Sequence, residues 1–153
     1  MAEEIRMFEA QCVCGKNKFA MKGVPTISVV CHCTTCREHS GAPFLHTAAW
    51  GKDAVEQTEG SEDDIVSFSM SEGFTRRACG TCGGVAPSVQ DTHGLVAFHL
   101  GTIKGAYNVE TNTYDPVFAP ACHLFYGSRV INVVDGAPKM AKKAPQDGIL
   151  PEE

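Results

Sequence analysis

Short apolar segments rich in β-branched and aromatic residues run through the sequence, and Gly, Pro, Asn or Asp separates one from the next. Segments of this length and composition predict strands rather than helices. The predicted strands are 7–10, 18–22, 27–30, 45–50, 65–69, 85–89, 95–100 and 130–134. The sequence therefore predicts a mainly β fold.

One segment has a helical pattern. Residues 34–40 are long enough for one or two helical turns, with Thr34 as a possible cap, and Gly41 and Pro43 are expected to end them. At 153 residues the chain has the length of one domain, which we predict over 1–140. Residues 141–153 carry Lys, Pro and Gly, and we expect a flexible C-terminal tail there.

Composition narrows the classes of function. No apolar stretch approaches the ~20 residues that a membrane helix needs. The net charge of −5 argues against broad binding to nucleic acid phosphates. The chain starts with Met1-Ala2-Glu3-Glu4, which is acidic where a secretory leader would be basic. Together with clustered cysteines, this start predicts a protein of the reducing cytoplasm.

Seven of the eight cysteines lie in three tight clusters. Thiolates separated by one or two residues can reach one tetrahedral zinc ion at about 2.3 Å, whereas disulfides between such neighbours would be strained. The clusters are Cys12 and Cys14, then Cys31, Cys33 and Cys36, then Cys79 and Cys82. The sequence therefore predicts a metal protein with zinc as the cofactor, two ions per chain.

The first and third clusters are the natural partners in a structural site. Cys12 and Cys14 precede Gly15, and glycines surround Cys79 and Cys82. Glycine-rich turns let backbone N–H groups point at thiolates. Four thiolates complete a closed tetrahedral zinc site, whose binding contributes to folding.

The middle cluster offers three thiolates rather than four. Three protein ligands with an open position are typical of a zinc ion that takes part in chemistry, and the fourth ligand is then water or a substrate thiolate. The alternative is a second closed site. Four residues are candidates to complete it: Cys122, His123, His32 and His39. Spacing alone leaves both alternatives open.

A few other side chains are candidates for roles near the middle cluster. Arg37, directly after it, is a candidate to bind an anionic ligand, as are Arg76 and Arg77 before Cys79, although a solvated charge is the default for each. His32 lies between two of the cysteines and is a candidate for proton transfer, together with His46 and His99.

The order Cys-x-Cys-Gly, Cys-x-Cys-x-x-Cys-Arg and Arg-x-Cys-x-x-Cys-Gly resembles the glutathione-dependent formaldehyde-activating enzyme family, also called the centromere-protein-V-like family. The resemblance extends over 7–140 and includes Leu100-Gly101-Thr102-Ile103 and Asp135-Gly136-Ala137-Pro138. It implies an Mss4-like complex of antiparallel β-sheets stapled by zinc, with one short helix after Cys31–Cys36. It also implies a structural zinc on Cys12, Cys14, Cys79 and Cys82, and a functional zinc on Cys31, Cys33 and Cys36.

The resemblance further implies a carbon–sulfur lyase that forms S-hydroxymethylglutathione from formaldehyde and glutathione, so that a small thiol is the expected partner. Two alternatives from other classes remain. One is a non-catalytic zinc module that binds a protein partner, and it would be favoured by a closed second site. The other is a thiol-rich domain for metal storage or redox sensing, which requires thiolates that oxidise readily.

Overall fold

The computed structural model describes residues 3–153, apart from the side chain of Met70. These residues group into two compact units. The first contains the chain up to Thr26 together with Ala48–Val117, and the second contains Ile27–Thr47 and Phe118–Glu153. The prediction of a single domain over 1–140 stays a prediction.

The fold is mainly β, as predicted, with antiparallel pairing in most of its sheets. The strands in chain order are β1 (Met7–Gln11), β2 (Lys18–Lys22), β3 (Ile27–Cys31), β4 (Leu45–Gly51), β5 (Val55–Glu59), β6 (Ile65–Ser71), β7 (Phe74–Cys79), β8 (Val85–Gln90), β9 (Leu95–His99), β10 (Tyr107–Asn108), β11 (Thr113–Tyr114) and β12 (His123–Leu124). Short 3-10 turns connect several of them, at Lys52–Ala54, Glu62–Asp64, Asp91–His93, Leu100–Thr102, Pro116–Phe118, Tyr126–Ser128 and Pro145–Asp147. This arrangement fits the Mss4-like fold that the resemblance implies.

In the first unit, β1, β2 and β5 form an antiparallel sheet. Phe8 on β1 lies directly opposite Met21 on β2, and both side chains are buried. The Trp50 ring contacts Phe8 and Phe98, with ring centroids 5.9 Å and 5.7 Å apart. Its indole N–H donates a 2.8 Å hydrogen bond to the Gly23 carbonyl, which satisfies the polar end of the buried ring.

The first unit also contains β9, β8, β7 and β6, which pair as successive antiparallel neighbours. Strand β7 was not predicted because two arginines interrupt its apolar pattern. Arg77 is buried, and its guanidinium donates to the Glu62 carboxylate at 2.9 Å and 3.0 Å and to the Pro87 carbonyl at 2.6 Å. Arg76 stacks over the Phe74 ring. Tertiary partners therefore support a strand that local composition disfavours.

In the second unit, β3 and β12 form a parallel pair, with His123 opposite Val30 and Leu124 opposite Cys31. The predicted helix is present as α1 (Thr34–Ser40), and it ends at Gly41 with φ of 68°. The prediction of Thr34 as the N-cap is wrong by one residue. Cys33 is the N-cap, because its Sγ accepts a 3.3 Å hydrogen bond from the Cys36 backbone N–H.

The strand predicted over 130–134 is wrong, since the structure places no strand in that segment. Its apolar side chains at Val130, Ile131 and Val134 are exposed, so the segment does not bury the face that a strand pattern implies. The tail predicted over 141–153 makes backbone hydrogen bonds with the preceding segment, including Leu150 N–H to Lys139 O at 2.8 Å. Its flexibility stays a prediction. Among the described residues, no helix has both the length and the apolar character to span a membrane.

Candidate metal centres

The structure brings Cys12, Cys14, Cys79 and Cys82 together in the first unit, as a group whose sulfur atoms lie within 4.8 Å of one another. The Sγ atoms of Cys12 and Cys14 are 3.6 Å apart, and those of Cys14 and Cys79 are 3.9 Å apart. A tetrahedral zinc ion with Zn–S bonds of about 2.3 Å requires sulfur atoms about 3.8 Å apart. This four-thiolate group therefore fits one tetrahedral metal ion.

Local backbone geometry sets the positions of these thiols. Cys12 follows β1 directly, and Cys79 is the last residue of β7. The Cys79 N–H donates to the Gly84 carbonyl at 2.8 Å, which closes the turn that carries Cys82. A Cβ atom on Gly84 would lie 3.1 Å from Cys82 Sγ and 3.2 Å from the Val13 nitrogen. Glycine at this position therefore allows two turns to approach closely enough to share one ion.

Backbone and side-chain N–H groups point at the sulfur atoms, as the glycine-rich turns predicted. Asn17 donates to Cys12 Sγ from its backbone nitrogen at 3.4 Å and to Cys79 Sγ from its side-chain amide at 3.2 Å. The Gly84 N–H donates to Cys82 Sγ at 3.3 Å. Such donors stabilise the thiolate form, which is the form that binds metal.

Within this group, the pKa values of the exposed thiols Cys82 and Cys14 shift in opposite directions. Hydrogen bonds from the backbone N–H groups of Cys14 and Gly84 lower the pKa of Cys82 to about 6. The Lys16 backbone N–H favours the Cys14 thiolate too, but burial and the neighbouring thiols outweigh it and raise the pKa of Cys14 to about 11. The hydrogen bonds to Cys82 therefore favour its thiolate form, which is the form that binds a metal ion.

Asn17 and Asp64 form an outer layer around the four-thiolate group that the cysteine motifs did not predict. The Asn17 amide donates to Asp64 Oδ2 at 2.8 Å, and the Thr81 hydroxyl donates to Asp64 Oδ1 at 2.9 Å. These hydrogen bonds, of which the one from Asn17 has the largest effect, lower the pKa of Asp64 to about 2. Groups that orient metal ligands in this way usually matter for affinity. In the sequence, the only signal for Asn17 is its place two residues after Gly15.

The second group consists of Cys31, Cys33 and Cys36, whose sulfur atoms also lie within 4.8 Å of one another. Cys31 ends β3, Cys33 caps α1 and Cys36 lies in the first turn of that helix. The change from strand to helix folds three nearby thiols onto one point. The hydrogen bond with the Cys36 thiol, and then burial, raise the pKa of Cys31, because both favour the protonated form.

No fourth Cys, His, Asp or Glu joins this three-thiolate group within the described residues. The structure thus leaves out of the group all four side chains considered as its fourth ligand, namely Cys122, His123, His32 and His39. Cys122 lies next to β12 as a half-buried thiol, and burial raises its pKa. The geometry therefore offers three protein ligands at this position.

His32 is fully buried beside the three-thiolate group in sequence and belongs to a chain of hydrogen bonds. Its Nε2 lies 2.8 Å from His123 Nδ1, and His123 Nε2 lies 2.7 Å from Asp135 Oδ2. The Tyr126 ring packs edge-on against His32 at 5.0 Å. Burial, and then the positive potential of His123 and Lys139, lower the pKa of His32 to about 4.

Arg37 is engaged with the backbone rather than extended into solvent. Its guanidinium donates to the carbonyl oxygen of His32 at 3.0 Å and to that of Ser128. A role for Arg37 in holding an anionic ligand stays a prediction. His46 contacts the Ser28 hydroxyl and the Phe118 carbonyl, both at 2.9 Å, and His99 is a buried residue of the first unit. Their roles in proton transfer also stay predictions.

Comparison with known proteins decides the family. The sequence model for the glutathione-dependent formaldehyde-activating enzyme matches residues 7–128, most of the chain. The chain belongs to this family. The match includes every cysteine of both groups and confirms the resemblance found in the motifs.

Solved structures support the fold of this family member. A crystal structure of a Rhodobacter sphaeroides protein resembles it with a TM-score of 0.54 at 14% sequence identity. The similarity covers 67% of this chain and 93% of that one, and at such low identity it supports the fold alone. A search of proteins with curated functions finds no match.

Proposed function

We propose that this protein is a zinc-dependent enzyme of the carbon–sulfur lyase type that joins a small thiol to an aldehyde, with glutathione and formaldehyde as the substrates. The reaction forms one bond between the thiol sulfur and the carbonyl carbon. The carbonyl π bond becomes a C–O single bond, and the thiol proton ends on that oxygen. No oxidant or reductant is needed, because the product is a hemithioacetal, the simple addition product of the two substrates.

The observation that carries the proposal is the three-thiolate group. Cys31, Cys33 and Cys36 lie within reach of one ion, and no fourth protein ligand joins them in the described part of the chain. A zinc ion held there would keep one position for a substrate thiol, deprotonate that thiol near neutral pH and polarise a nearby carbonyl. The name of the family supports the choice of glutathione as the thiol and formaldehyde as the aldehyde.

The residues of the chain contribute mainly binding and orientation. The three cysteines fix the point at which the substrate sulfur is held, and the change from β3 to α1 sets the angle between them. Arg37 holds the carbonyl of His32, the residue between two of the ligands, and so stiffens the loop. Thiol addition to an aldehyde is intrinsically facile, so orienting the two reactants is a large part of the catalysis required.

The four-thiolate group has a structural role in this proposal. Its ligands come from two segments more than 60 residues apart, and the first cysteine of each segment, Cys12 or Cys79, is buried. A closed zinc site of this kind contributes on the order of 10 kcal/mol of apparent binding free energy to folding. We also place the protein in the cytoplasm, because cysteines clustered for metal binding rather than paired in disulfides are typical of a reducing compartment.

Native mass spectrometry before and after addition of reduced glutathione tests the metal half of the proposal. We expect two zinc ions per chain and a glutathione adduct that Cys33→Ser abolishes. Cys122→Ser is the matched control, since Cys122 is a cysteine outside both groups. The control should keep both zinc ions and the adduct. One zinc ion that gentle reloading does not increase, with no adduct, would overturn the proposal and favour a zinc-stabilised interaction module.

Exchange NMR on glutathione with ¹³C-formaldehyde tests the reaction itself. The zinc-loaded protein should accelerate interconversion between free glutathione and the S-hydroxymethyl adduct, whereas Cys33→Ser should not. Replacing glutathione with other small thiols then measures the substrate preference. An unchanged exchange rate with every thiol and aldehyde tested, in protein that carries two zinc ions, would leave a binding function only.

A further inference from the structure

A series of hydrogen bonds in the second unit leads from the ion pair of Lys139 and Asp135 to the peptide between two candidate metal ligands. Lys139 is almost fully buried and donates to Asp135 Oδ1. Asp135 Oδ2 lies 2.7 Å from His123 Nε2, and His123 Nδ1 lies 2.8 Å from His32 Nε2. Since His32 lies between Cys31 and Cys33, this series of hydrogen bonds ends within the three-thiolate group.

The ionised carboxyl group of Asp135 determines which nitrogen of each histidine donates and which accepts a hydrogen bond. Asp135 is a carboxylate, because hydrogen bonds from Lys139 and His123 outweigh burial and hold its pKa at about 2. A carboxylate can only accept, so His123 Nε2 must carry the proton between them. Burial lowers the pKa of His123, which favours the neutral ring, and in a neutral imidazole the other nitrogen is an acceptor, so His123 Nδ1 receives the hydrogen bond donated by His32 Nε2. His32 is thereby fixed as the Nε2–H tautomer.

Packing leaves the His32 ring little freedom. Its ring stacks on His123 with centroids 5.1 Å apart, and Phe44 and Tyr126 contact it at 5.4 Å and 5.0 Å. Its backbone is held as well, because its N–H donates to Leu124 O at 3.0 Å and its carbonyl accepts from Arg37. Every rotatable part of the residue between Cys31 and Cys33 is therefore constrained.

We propose that Asp135 and His123 are positioning residues of the three-thiolate site, which act through His32 to fix the peptide that carries Cys31 and Cys33. The inference rests on the proposed function, in which these thiolates hold the metal ion. Metal ligands need an orientation set from outside, usually by a hydrogen-bonded carboxylate or carbonyl. Here the carboxylate of Asp135 orients a residue between two ligands rather than a ligand itself. The benefit is a site with three thiolates prearranged and one position kept open.

Cobalt(II) titration followed by absorption spectroscopy tests this role, because cobalt bound by thiolates gives bands that report ligand number and geometry. The parent protein should bind two equivalents. In Asp135→Asn and in His123→Phe, the equivalent held by the three-thiolate site should bind about 10–100-fold more weakly and show altered bands. The equivalent held by the four-thiolate site, which contains none of these residues, is the internal control. His93→Phe, at an exposed histidine, is the matched variant and should behave as the parent.

Nitrogen-15 NMR of the histidine rings at constant pH measures the proton order directly and needs no metal, thiol or aldehyde. We expect an unprotonated Nδ1 and a protonated Nε2 on both His32 and His123, and loss of this order in Asp135→Asn. Asp135→Asn keeps the size of the side chain, so it remains informative if His123→Phe does not fold.

The outcomes separate this inference from the proposed function. Two cobalt equivalents with unchanged affinity and bands in both folded variants would overturn the positioning role and leave the proposed function intact. A doubly protonated His123, or a proton on His32 Nδ1, would overturn it as well. Variants with the expected cobalt behaviour in a protein that forms no thiol adduct would contradict the proposed function alone. A parent protein that binds only one equivalent would overturn both.

Discussion

The side-chain amide of Asn17 donates one hydrogen bond to the Cys79 sulfur at 3.2 Å and another to Asp64 Oδ2 at 2.8 Å. Its oxygen accepts a third from Gln57 Nε2 at 2.9 Å. Asn17 is completely buried. One side chain therefore links a candidate metal ligand, a carboxylate and strand β5, and it does so without belonging to any cysteine motif.

Asn17→Ala should weaken the four-thiolate site selectively. The change removes the donor to Cys79 and to Asp64 and the acceptor for Gln57, so we expect about 10–100-fold weaker zinc binding at this site. We also expect a loss of about 1–3 kcal/mol in the free energy of unfolding of the zinc-loaded protein. Chelator competition and urea unfolding measure the two effects. Asn132→Ala, at an exposed asparagine bonded to Arg129, is the control. Equal affinities in the two variants would show that Asn17 does not support the metal.

Gly60→Ala should weaken zinc binding at the four-thiolate site indirectly, by displacing Asn17. Gly60 has φ of 82°, and a Cβ atom there would lie 2.2 Å from Asn17 Oδ1 and 2.8 Å from the Lys16 carbonyl. Gly23 has nearly the same φ, 80°, but nothing lies within 4 Å of its Cβ position. Gly23→Ala therefore measures the backbone strain alone, on the order of 1 kcal/mol.

The comparison of these two alanine variants isolates the effect of the contact with Asn17. We expect Gly60→Ala to unfold at clearly lower urea concentration than Gly23→Ala and to release zinc from the four-thiolate site sooner. If the two variants unfold together, the position of Asn17 adapts freely and the close approach of the Gly60 backbone has no consequence for the metal.

Both cysteine groups were predictable from the sequence because the geometry they require is local. Cysteines one or two residues apart can reach one ion almost regardless of the fold around them, and the structure does bring Cys31, Cys33 and Cys36 together as a group that could hold a metal ion. The pairing of Cys12 with Cys79 required a further step, namely that two incomplete clusters complete each other. The structure agrees with that step.

The residues that the sequence did not reveal act through long-range contacts. Asn17 is 62 residues from Cys79, and His32 is 91 residues from His123. Neither pair has a spacing that identifies it, because the fold alone brings the partners together. The strand that was wrongly predicted at 130–134 is the opposite case, in which a local pattern was present but the fold did not use it. Its apolar residues match a strand locally, but the fold leaves Val130 and Val134 exposed.

Tyr126→Phe should loosen the C-terminal tail. The Tyr126 hydroxyl donates to the Glu152 carbonyl and accepts a 2.9 Å hydrogen bond from the Val133 N–H, while the ring is completely buried. Removing one hydroxyl at such a position costs about 1 kcal/mol of stability. Hydrogen exchange should become faster over 148–153 and at Val133. Tyr107→Phe, at a half-exposed tyrosine of the first unit, should change neither. Fast exchange over 148–153 already present in the parent would show a tail that is mobile despite these contacts.

Chelator should remove the two zinc ions at different rates. In the proposed two-zinc protein the three-thiolate group would hold its ion with three protein ligands, whereas the four-thiolate group would supply all four, so EDTA should extract one equivalent well before the other. Alkylation with iodoacetamide after the first phase should label the emptied group, read by peptide mass spectrometry at Cys31, Cys33 and Cys36. Cys36→Ser should abolish the fast phase, and Cys122→Ser should preserve it. If the fast phase instead exposes Cys14 and Cys82, the four-thiolate group is the labile site, and the division between structural and functional metal is reversed.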